Sequence, residues 1–186
     1  MRVISGSAKG RKLKVPLGNV RPLTGQAKEA LFNILQNRIV DCRFLDLFAG
    51  SGAVGIEALS RGAAQVTFIE LDRKSVQVIR ENLEACGFSS QAKVYSADVL
   101  QALKILKRRQ AKFAIIFLGA PYDSPVLDKA LQFISECGIL DKNGVFIAEH
   151  RKQHILPDRY GKYLCVRSER YGETVFNFYE ESNLSG

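Results

Sequence analysis

The chain of 186 residues has no apolar run of the roughly 20 residues that a membrane-spanning helix needs. Its opening, MRVISGSAKGRKLKV, also lacks the apolar core of a secretory signal. These two absences predict a cytoplasmic protein that has no membrane partner.

Clustered metal ligands are missing as well. The four cysteines are scattered, and no two of them form a C-x-x-C pair, so neither a zinc site nor a disulfide framework is indicated. His150 and His154 stand four residues apart, but no glutamate lies between them as in a zinc hydrolase motif. We therefore expect reduced thiols, surface histidines and no bound metal.

Acidic residues are absent from the first 28 residues, which hold seven of the 27 lysines and arginines and account for all but one of the net charge of +8. Apolar residues at positions 3, 4, 13 and 15 are interleaved with these charges, which favours strands over a solvated tail. A basic arm on a nearly neutral body favours a polyanionic partner, most simply nucleic acid. The residues expected to contact RNA phosphates are Lys9, Arg11, Lys12 and Lys14.

Short apolar segments alternate with amphipathic ones through the rest of the chain. The predicted strands span residues 44–48, 66–69, 93–95, 113–118 and 145–148, with a turn at 142–144 before the fifth. The predicted helices span residues 26–37, 52–60, 73–85, 100–108 and 125–137. Residues 163–168 and 174–179 are predicted as an antiparallel hairpin at one edge. This order predicts an α/β fold with a doubly wound, mostly parallel sheet.

The first strand leads through a glycine-rich turn into a helix, in the sequence LDLFAGSGAVG at positions 45–55. Gly50, Gly52 and Gly55 fit the pattern G-x-G-x-x-G, in which missing side chains let the backbone approach a ligand at a helix N-terminus. The motif alone does not distinguish a dinucleotide from another adenosine cofactor.

Carboxylates at three successive strand ends help to choose between these cofactors. Asp46 would repel a pyrophosphate but attract the cationic amino group of S-adenosylmethionine (SAM). Glu70 can accept from ribose hydroxyls in either cofactor, and Asp98, beside Val99, can accept from an adenine amino group. Helix capping is the competing interpretation for Glu70 and Asp98. The set favours SAM over NAD.

At these residues the chain resembles a known family. The segments LDLFAGSG, IEALSRGA and FIELD, with the opening RVISGSAKGRKLKVP and RPLTGQAKEALFN, resemble the RsmD-type methyltransferases over nearly the whole chain. That family modifies a guanine N2 amino group in bacterial small-subunit (16S) rRNA. The resemblance implies a class I SAM-dependent, Rossmann-like methyltransferase with a seven-stranded sheet and an N-terminal basic hairpin that contacts RNA.

The resemblance also implies an organisation and a set of roles. Residues 1–24 would form the arm and residues 25–182 the methyltransferase domain, with 16S rRNA or the small ribosomal particle as partner, and we expect a monomer. Arg21, Pro22 and Thr24 would border the methionine end of SAM; its middle would lie on Asp46, Phe48, Gly50 and Gly52, its ribose on Glu70, and its adenine on Asp98 and Val99.

The loop after the fourth strand departs from the family pattern. The family has Asp or Asn, Pro, Pro and Tyr, whereas this chain has Gly119, Ala120, Pro121 and Tyr122. A guanine amine is a poor nucleophile because its lone pair is delocalised, so two acceptors must orient it while an aromatic ring stacks on the base. Gly119 has no side-chain oxygen, but the loop keeps its backbone carbonyls and Tyr122.

A second departure lies at Thr24-Gly25-Gln26, where the family has Asp and a basic residue at the last two positions. Two functions therefore stay open: an rRNA methyltransferase, or a catalytically attenuated RNA-binding or ribosome-assembly protein on the same fold. If amine orientation is the main task of the loop, Gly119→Asp with Ala120→Pro should raise the methylation rate.

Overall fold

A computed structural model describes residues 1–16, 23–121 and 124–182 of the chain. Its helices are α1 (Gly25–Ile39), α2 (Ala53–Ser60), α3 (Arg73–Cys86), α4 (Val99–Arg108) and α5 (Val126–Cys137). Its strands are β1 (Arg43–Leu47), β2 (Gln65–Glu70), β3 (Ala92–Ser96), β4 (Phe113–Leu118), β5 (Leu140–Arg151), β6 (Arg159–Tyr160), β7 (Tyr163–Tyr171) and β8 (Thr174–Glu181). These strands form one sheet in the order β3-β2-β1-β4-β5-β8-β7-β6.

The parallel part of the sheet contains β1 to β5, as the alternation of strands and helices predicts. The chain winds from β1 outward to β2 and β3, then returns to place β4 and β5 on the other side of β1. This reversal opens a crevice beyond the carboxyl ends of β1 and β4, where ligands bind in open α/β sheets. At that edge the Gly119 N–H donates to the Leu47 carbonyl at 3.3 Å, so the loops after β1 and β4 are adjacent.

The antiparallel edge has one strand more than predicted. The hairpin of β7 and β8 pairs with β5 as expected, but β6 adds an eighth strand where the sequence predicted seven. Strand β6 has only two residues, paired as Arg159↔Leu164 and Tyr160↔Tyr163. So short a strand has no alternation of apolar and polar residues that a sequence could reveal.

Strand β5 also begins earlier than predicted. Its pairing with β4 moves from Phe113↔Leu140 directly to Ile115↔Val145. The segment predicted as a turn before the strand is therefore an irregularity inside it, with Asn143 in the left-handed region at φ 63°. The register beyond this irregularity is regular up to Leu118↔Ala148, at the edge that holds the crevice.

Two apolar cores lie on opposite faces of the sheet. The arm, α1, α2 and α3 cover one face, while α4 and α5 cover the other. His150 of β5 is buried at 5% exposure instead of lying at the surface, because the sheet continues past it in pairing with Val175 of β8. None of the helices in the described ranges is both long and apolar enough to cross a membrane.

A buried carboxylate holds the arm on α2. Glu57 is 0% exposed, and its two oxygens accept from the backbone N–H groups of Ile4 at 2.9 Å and Ser5 at 3.0 Å. The same carboxylate pairs with Lys28 Nζ at 3.0 Å and Arg61 Nε at 2.9 Å. Burial raises the pKa of Glu57, but the Ile4 N–H and the Lys28 charge outweigh burial and hold the pKa below its usual value. The ionised carboxylate therefore stabilises the fold above its usual pKa, and this contribution is lost as the pH falls through the lowered value.

Lys28 does not contribute to the exposed positive charge of the N-terminal segment. It is one of the seven basic residues in the first 28, yet it is 1% exposed and paired with Glu57. Its ammonium also donates to the Arg2 carbonyl at 3.0 Å. Lys28 therefore anchors the arm to α1 and adds no charge to the arm's surface.

The arm doubles back on itself, as predicted: the Val3 N–H donates to the Arg11 carbonyl, and the Gly10 and Leu13 N–H groups donate to the carbonyls of Val3 and Met1. Residues 1–16 contain one isolated antiparallel bridge, Arg2↔Lys12, and no longer ladder. Other arm N–H groups bond to the body: those of Ile4 and Ser5 to Glu57, and that of Ala8 to Ser60 Oγ at 3.0 Å.

Gly6 makes this close contact with α2 possible. Its φ is +82°, and a Cβ at this position would lie 1.7 Å from the Ser60 carbonyl oxygen. Any side chain there would lift the arm from the end of α2. The division of the chain at residue 24 stays a prediction, since residues 17–22 lie outside the described ranges.

Replacement of Glu57 by alanine is expected to lower the free energy of unfolding by about 3–5 kcal/mol, because Lys28 would stay buried without a counter-charge. Urea denaturation measures the change. The matched control is Glu57→Met with Lys28→Met, which removes the fully buried ammonium together with its carboxylate and should recover part of the loss. A single variant as stable as the wild type would contradict this account of the arm.

Candidate active site

The chain turns tightly between β1 and α2, directly at the crevice. Phe48, Gly50 and Gly52 all have positive φ angles, of 62°, 56° and 76°. The left-handed region is costly for a bulky residue such as Phe48, and strain of this kind collects at functional sites. The turn points the N-terminus of α2 at the crevice, so the predicted strand, glycine turn and helix are confirmed as structure.

The third glycine of the motif serves packing. A Cβ on Gly55 would lie 2.3 Å from the ring of Phe68 and 2.8 Å from Val66 Cγ1, both on β2. A side chain there would push α2 away from the sheet and displace the turn that precedes it. Gly55 therefore sets the distance between α2 and β2.

Asp46 is buried beside the turn. It is 2% exposed, and its Oδ2 accepts from the Gly55 N–H at 2.9 Å. The pKa of Asp46 is raised to about 7. Burial is the main cause and the charge of Glu70 adds to it, while the hydrogen bond from the Gly55 N–H acts in the opposite direction. Contact with a cationic cofactor group stays a prediction, and the structure adds a second role, the fixing of the first turn of α2.

Glu70 binds the backbone of both neighbouring loops. Its Oε2 accepts from the Gly50 N–H at 2.8 Å, and its Oε1 accepts from the Asp72 N–H at 2.9 Å. The cap of α3 is Asp72 itself, so capping is not the role of Glu70. Each carboxylate oxygen has a further lone pair, and contact with ribose hydroxyls stays a prediction.

Two other predicted cofactor residues cap helices. Asp98 is the N-cap of α4 and accepts from the Gln101 N–H at 3.1 Å, as the competing interpretation expected. Thr24 is the N-cap of α1 and accepts from the Ala27 N–H at 3.2 Å. Their cofactor contacts stay predictions, as does that of the buried Val99, while the predictions for Arg21 and Pro22 lie outside the described residues.

The loop after β4 reaches the same edge of the sheet. Gly119 bonds to the end of β1, Ala120 is buried and Pro121 is exposed. Tyr122, the predicted stacking residue, lies outside the described residues. The catalytic roles of this loop stay predictions.

Glu149, at the same edge, is a residue that the sequence analysis missed. Its Oε2 lies 3.2 Å from the position that a Cβ on Gly119 would take. The available signal was an acid at the end of the fifth apolar strand, VFIAE, which resembles the acids that end the first three strands.

The predicted RNA-contacting residues of the arm are all exposed. Lys14 is partly neutralised by Glu81, with Nζ and Oε2 2.7 Å apart. Among the described residues, no acid lies within ion-pair distance of Lys9, Arg11 or Lys12. Three of the four predicted cations are therefore available to an anionic partner.

Asn82 of α3 ties the arm to the glycine turn. Its Oδ1 accepts from the Lys14 N–H at 2.8 Å, while its Nδ2 donates to the carbonyls of Lys14 and Ser51, each at 3.0 Å. Asn82 is 1% exposed. No sequence pattern marks this buried amide, because a polar residue inside a helix resembles any solvated one.

Residues 1–16, 23–121 and 124–182 contain no group of three or more His, Cys, Asp or Glu side chains that could hold a metal ion. His154 instead lies 3.2 Å from the Asp128 carboxylate of α5.

Known proteins match nearly the whole length of the chain. A family model described as "Conserved hypothetical protein 95" matches residues 1–180. The chain is similar to "Putative rRNA methyltransferase YlbH" of Bacillus subtilis (strain 168), with 41% identity over 182 residues, which covers 97% of this chain and 99% of that protein. It is also similar to "Ribosomal RNA small subunit methyltransferase D" of Escherichia coli (strain K12), with 33% identity covering 97% of this chain and 89% of that protein.

A solved structure of a hypothetical protein from Thermus thermophilus shares the fold. It superposes with a TM-score of 0.85 at 31% identity, covering 97% of this chain and 99% of that chain.

Asp46→Asn is expected to stabilise the ligand-free protein at alkaline pH. A pKa of about 7 in the folded state, against about 3.9 in the unfolded chain, means that stability falls as the pH rises between these values. The asparagine never ionises, so its advantage over the wild type should grow by about 2–4 kcal/mol between about pH 4.5 and pH 8.5.

Urea denaturation at the two pH values measures this difference. Asp46→Ala is the matched control, because alanine also does not ionise but removes the acceptor of the Gly55 N–H, and it should be less stable than Asp46→Asn at both values. A pH-independent difference between Asp46→Asn and the wild type would mean that Asp46 ionises normally.

Proposed function

We propose that this chain, which belongs to the RsmD-type family described as "Conserved hypothetical protein 95", transfers a methyl group from SAM to the N2 amino group of a guanine in small-subunit (16S) rRNA. The observation that carries the proposal is the adjacency of two loops in one crevice. The glycine turn after β1 and the loop after β4 are joined by the hydrogen bond from Gly119 to Leu47. A cofactor on the first loop and a base on the second would therefore meet.

The residues beside the glycine turn suit SAM better than a dinucleotide. The carboxylates of Asp46 and Glu70 lie close enough for the charge of Glu70 to raise the pKa of Asp46. Two acids at the turn would repel a pyrophosphate, whereas one of them can pair with the amino group of SAM. The backbone of Gly50 and Gly52 would hold the middle of SAM, and Glu70 its ribose hydroxyls.

SAM supplies a methyl group that a sulfonium makes electrophilic, so the chain's own task is to place and orient an amine. Backbone carbonyls of Gly119 and Ala120 can accept amine hydrogen bonds, and Tyr122 would stack on the base. Proximity and orientation supply the acceleration, and no general base has to form beforehand.

The arm supplies the contact with RNA. Its cations project from a backbone that Glu57 and Asn82 hold against α2 and α3. Phosphate contacts of this kind position a nucleic acid without reading its sequence. The proposed partner is 16S rRNA or the small ribosomal particle. The arm would position this RNA so that one of its bases enters the crevice.

Transfer of a labelled methyl group from SAM to 16S rRNA, offered free and in the small particle, tests the function. We expect label on a guanine, located at N2 by mass spectrometry. We also expect SAM binding without NAD binding by titration calorimetry, and weaker SAM binding by Asp46→Asn because the negative charge is lost. Bound SAM with no label on either RNA would favour the RNA-binding alternative, and NAD binding would point to an oxidoreductase.

Joint replacement of Lys9, Arg11 and Lys12 by alanine is expected to weaken RNA binding and reduce its salt dependence. Each lost phosphate contact should lower the slope of log K against log salt by about 0.7–0.9. Filter binding over a series of salt concentrations measures this slope.

Lys14→Ala is the matched control within the arm. It should change the slope less than a single replacement at the other three positions, because Glu81 already neutralises part of its charge. An unaltered slope in a folded triple variant would assign the arm to packing alone.

A further inference from the structure

We propose that Glu149, near the carboxyl end of β5, is a catalytic residue whose carboxylate orients the target amine and replaces the side-chain oxygen that Gly119 lacks. The inference rests on the proposed function, since it assigns a group that holds the amine of the methylated base.

The sheet register places the two residues side by side. Strands β4 and β5 are parallel neighbours, paired up to Leu118↔Ala148 at the crevice edge. Side chains alternate between the faces of a strand. Phe117 and Ile147 both belong to the core on the α1 face, so Gly119 and Glu149, two residues further on, lie on that face too.

The carboxylate occupies the space that a side chain at position 119 would enter. Glu149 Oε2 lies 3.2 Å from the ideal Cβ position of Gly119. An Asp or Asn at position 119, as in the family pattern, would extend from this Cβ position. An acceptor is therefore present at this point of the crevice, although it comes from the neighbouring strand.

The surroundings suit an acceptor and a flat base. Glu149 is half-buried and stands opposite Phe176 of β8. The rings of Phe117 and Tyr171 lie 6.3 Å and 5.9 Å from that of Phe176. Aromatic side chains lower the local dielectric, which strengthens a hydrogen bond to a carboxylate. Glu149 already interacts within the chain, but a carboxylate has about four lone-pair positions, so an amine can share it.

The chemistry of the step balances with Glu149 as acceptor. The carboxylate holds one amine hydrogen and a loop carbonyl holds the other, which leaves the nitrogen lone pair directed at the methyl group. As the new N–C bond forms, the bond from methyl to sulfur breaks and its electron pair stays on sulfur. The nitrogen then carries a positive charge, and its extra proton passes to Glu149 and on to water.

This assignment reverses one expectation from the sequence. A Cβ at position 119 would lie 2.9 Å from Phe117 Cε1 as well as 3.2 Å from Glu149. Gly119→Asp would therefore crowd the ring and set a second carboxylate beside the first, where like charges repel. We now expect no gain in rate from Gly119→Asp, with or without Ala120→Pro, while Glu149 is present.

Four variants test the assignment: Glu149→Ala, Glu149→Gln, Gly119→Asn, and Gly119→Asn combined with Glu149→Ala. The first readout is the single-turnover rate of methyl transfer. The second is independent of activity: the affinity for RNA carrying guanine or inosine at the methylated position, measured with S-adenosylhomocysteine. Inosine lacks the N2 amine, so the difference in affinity reports whether the amine is held.

Glu149→Ala should lower the rate about 10²–10³-fold, by analogy with the loss of one oxyanion-hole donor, and should reduce the preference for guanine to the part that the loop carbonyl supplies. Its affinity for S-adenosylhomocysteine should stay unchanged. Glu149→Gln keeps an acceptor oxygen and should keep part of the preference. Gly119→Asn should not help the wild type, but should restore rate and preference in the Glu149→Ala background, where the carboxylate no longer crowds position 119, an acceptor is missing and only the Phe117 ring has to shift.

The outcomes separate the two proposals. A wild type that methylates guanine, together with a Glu149→Ala variant of equal rate and equal preference, overturns the role of Glu149 and leaves the function standing. A wild type that transfers no methyl group to 16S rRNA, either free or in the small particle, overturns the function and this role with it. Should Glu149→Ala not fold, the isosteric Glu149→Gln decides: a weaker acceptor should slow transfer about tenfold, and an unchanged rate overturns the role.

Discussion

The buried carboxylate of Glu57 is the constraint on which the arrangement around α2 depends. A charge without solvent must have its hydrogen bonds and counter-charges in place, because an unpaired buried ion costs several kcal/mol. Glu57 meets this requirement with groups from the arm, from α1 through Lys28, and from Arg61, directly after its own helix. These bonds hold the arm, α1 and α2 together. At the other end of α2, Asp46 binds the Gly55 N–H, so the helix is fixed along its whole length.

The fixed position of α2 couples the two halves of the proposed function. The glycine turn at its N-terminus would hold the cofactor, and the arm on its outer side would bind RNA. Asn82 connects them directly, because one side chain bonds both Lys14 and Ser51. Methyl transfer requires an amine and a methyl group in a defined relation. A rigid connection between the proposed RNA-binding surface and the glycine turn would limit the motion of the amine relative to the methyl group.

Local patterns predicted the parts of the fold that local interactions determine. The alternation of apolar strands with amphipathic helices gave the five parallel strands and their helices within a few residues, apart from the early start of β5, and the glycines marked the turn at the crevice. Strand β6, with two residues, has no pattern of its own and exists because β7 offers it an edge. The bridge in the arm and the burial of Lys28 depend on Glu57, some 30 to 55 residues away, which no periodicity can show. The acids at strand ends were recognised, but their partners were not, because Gly50, Gly55 and Asp72 bind them through backbone N–H groups that are alike in every residue.

The loop after β4 shows why a motif along the chain can misjudge a site in space. The sequence shows that Gly119 lacks the side-chain oxygen of the family pattern. From that difference alone, a lower rate of methyl transfer is expected. Parallel strands in register, however, present residues of the same face side by side at the sheet edge, about 4.8 Å apart. A glutamate on the neighbouring strand has one methylene more than an aspartate and can reach across part of that spacing. With Glu149 in this role, glycine at position 119 becomes a requirement, because any Cβ there would meet both the carboxylate and the ring of Phe117. The departure from the family pattern and the carboxylate beside it then form one arrangement, in which the acceptor comes from β5 and β4 leaves room for it.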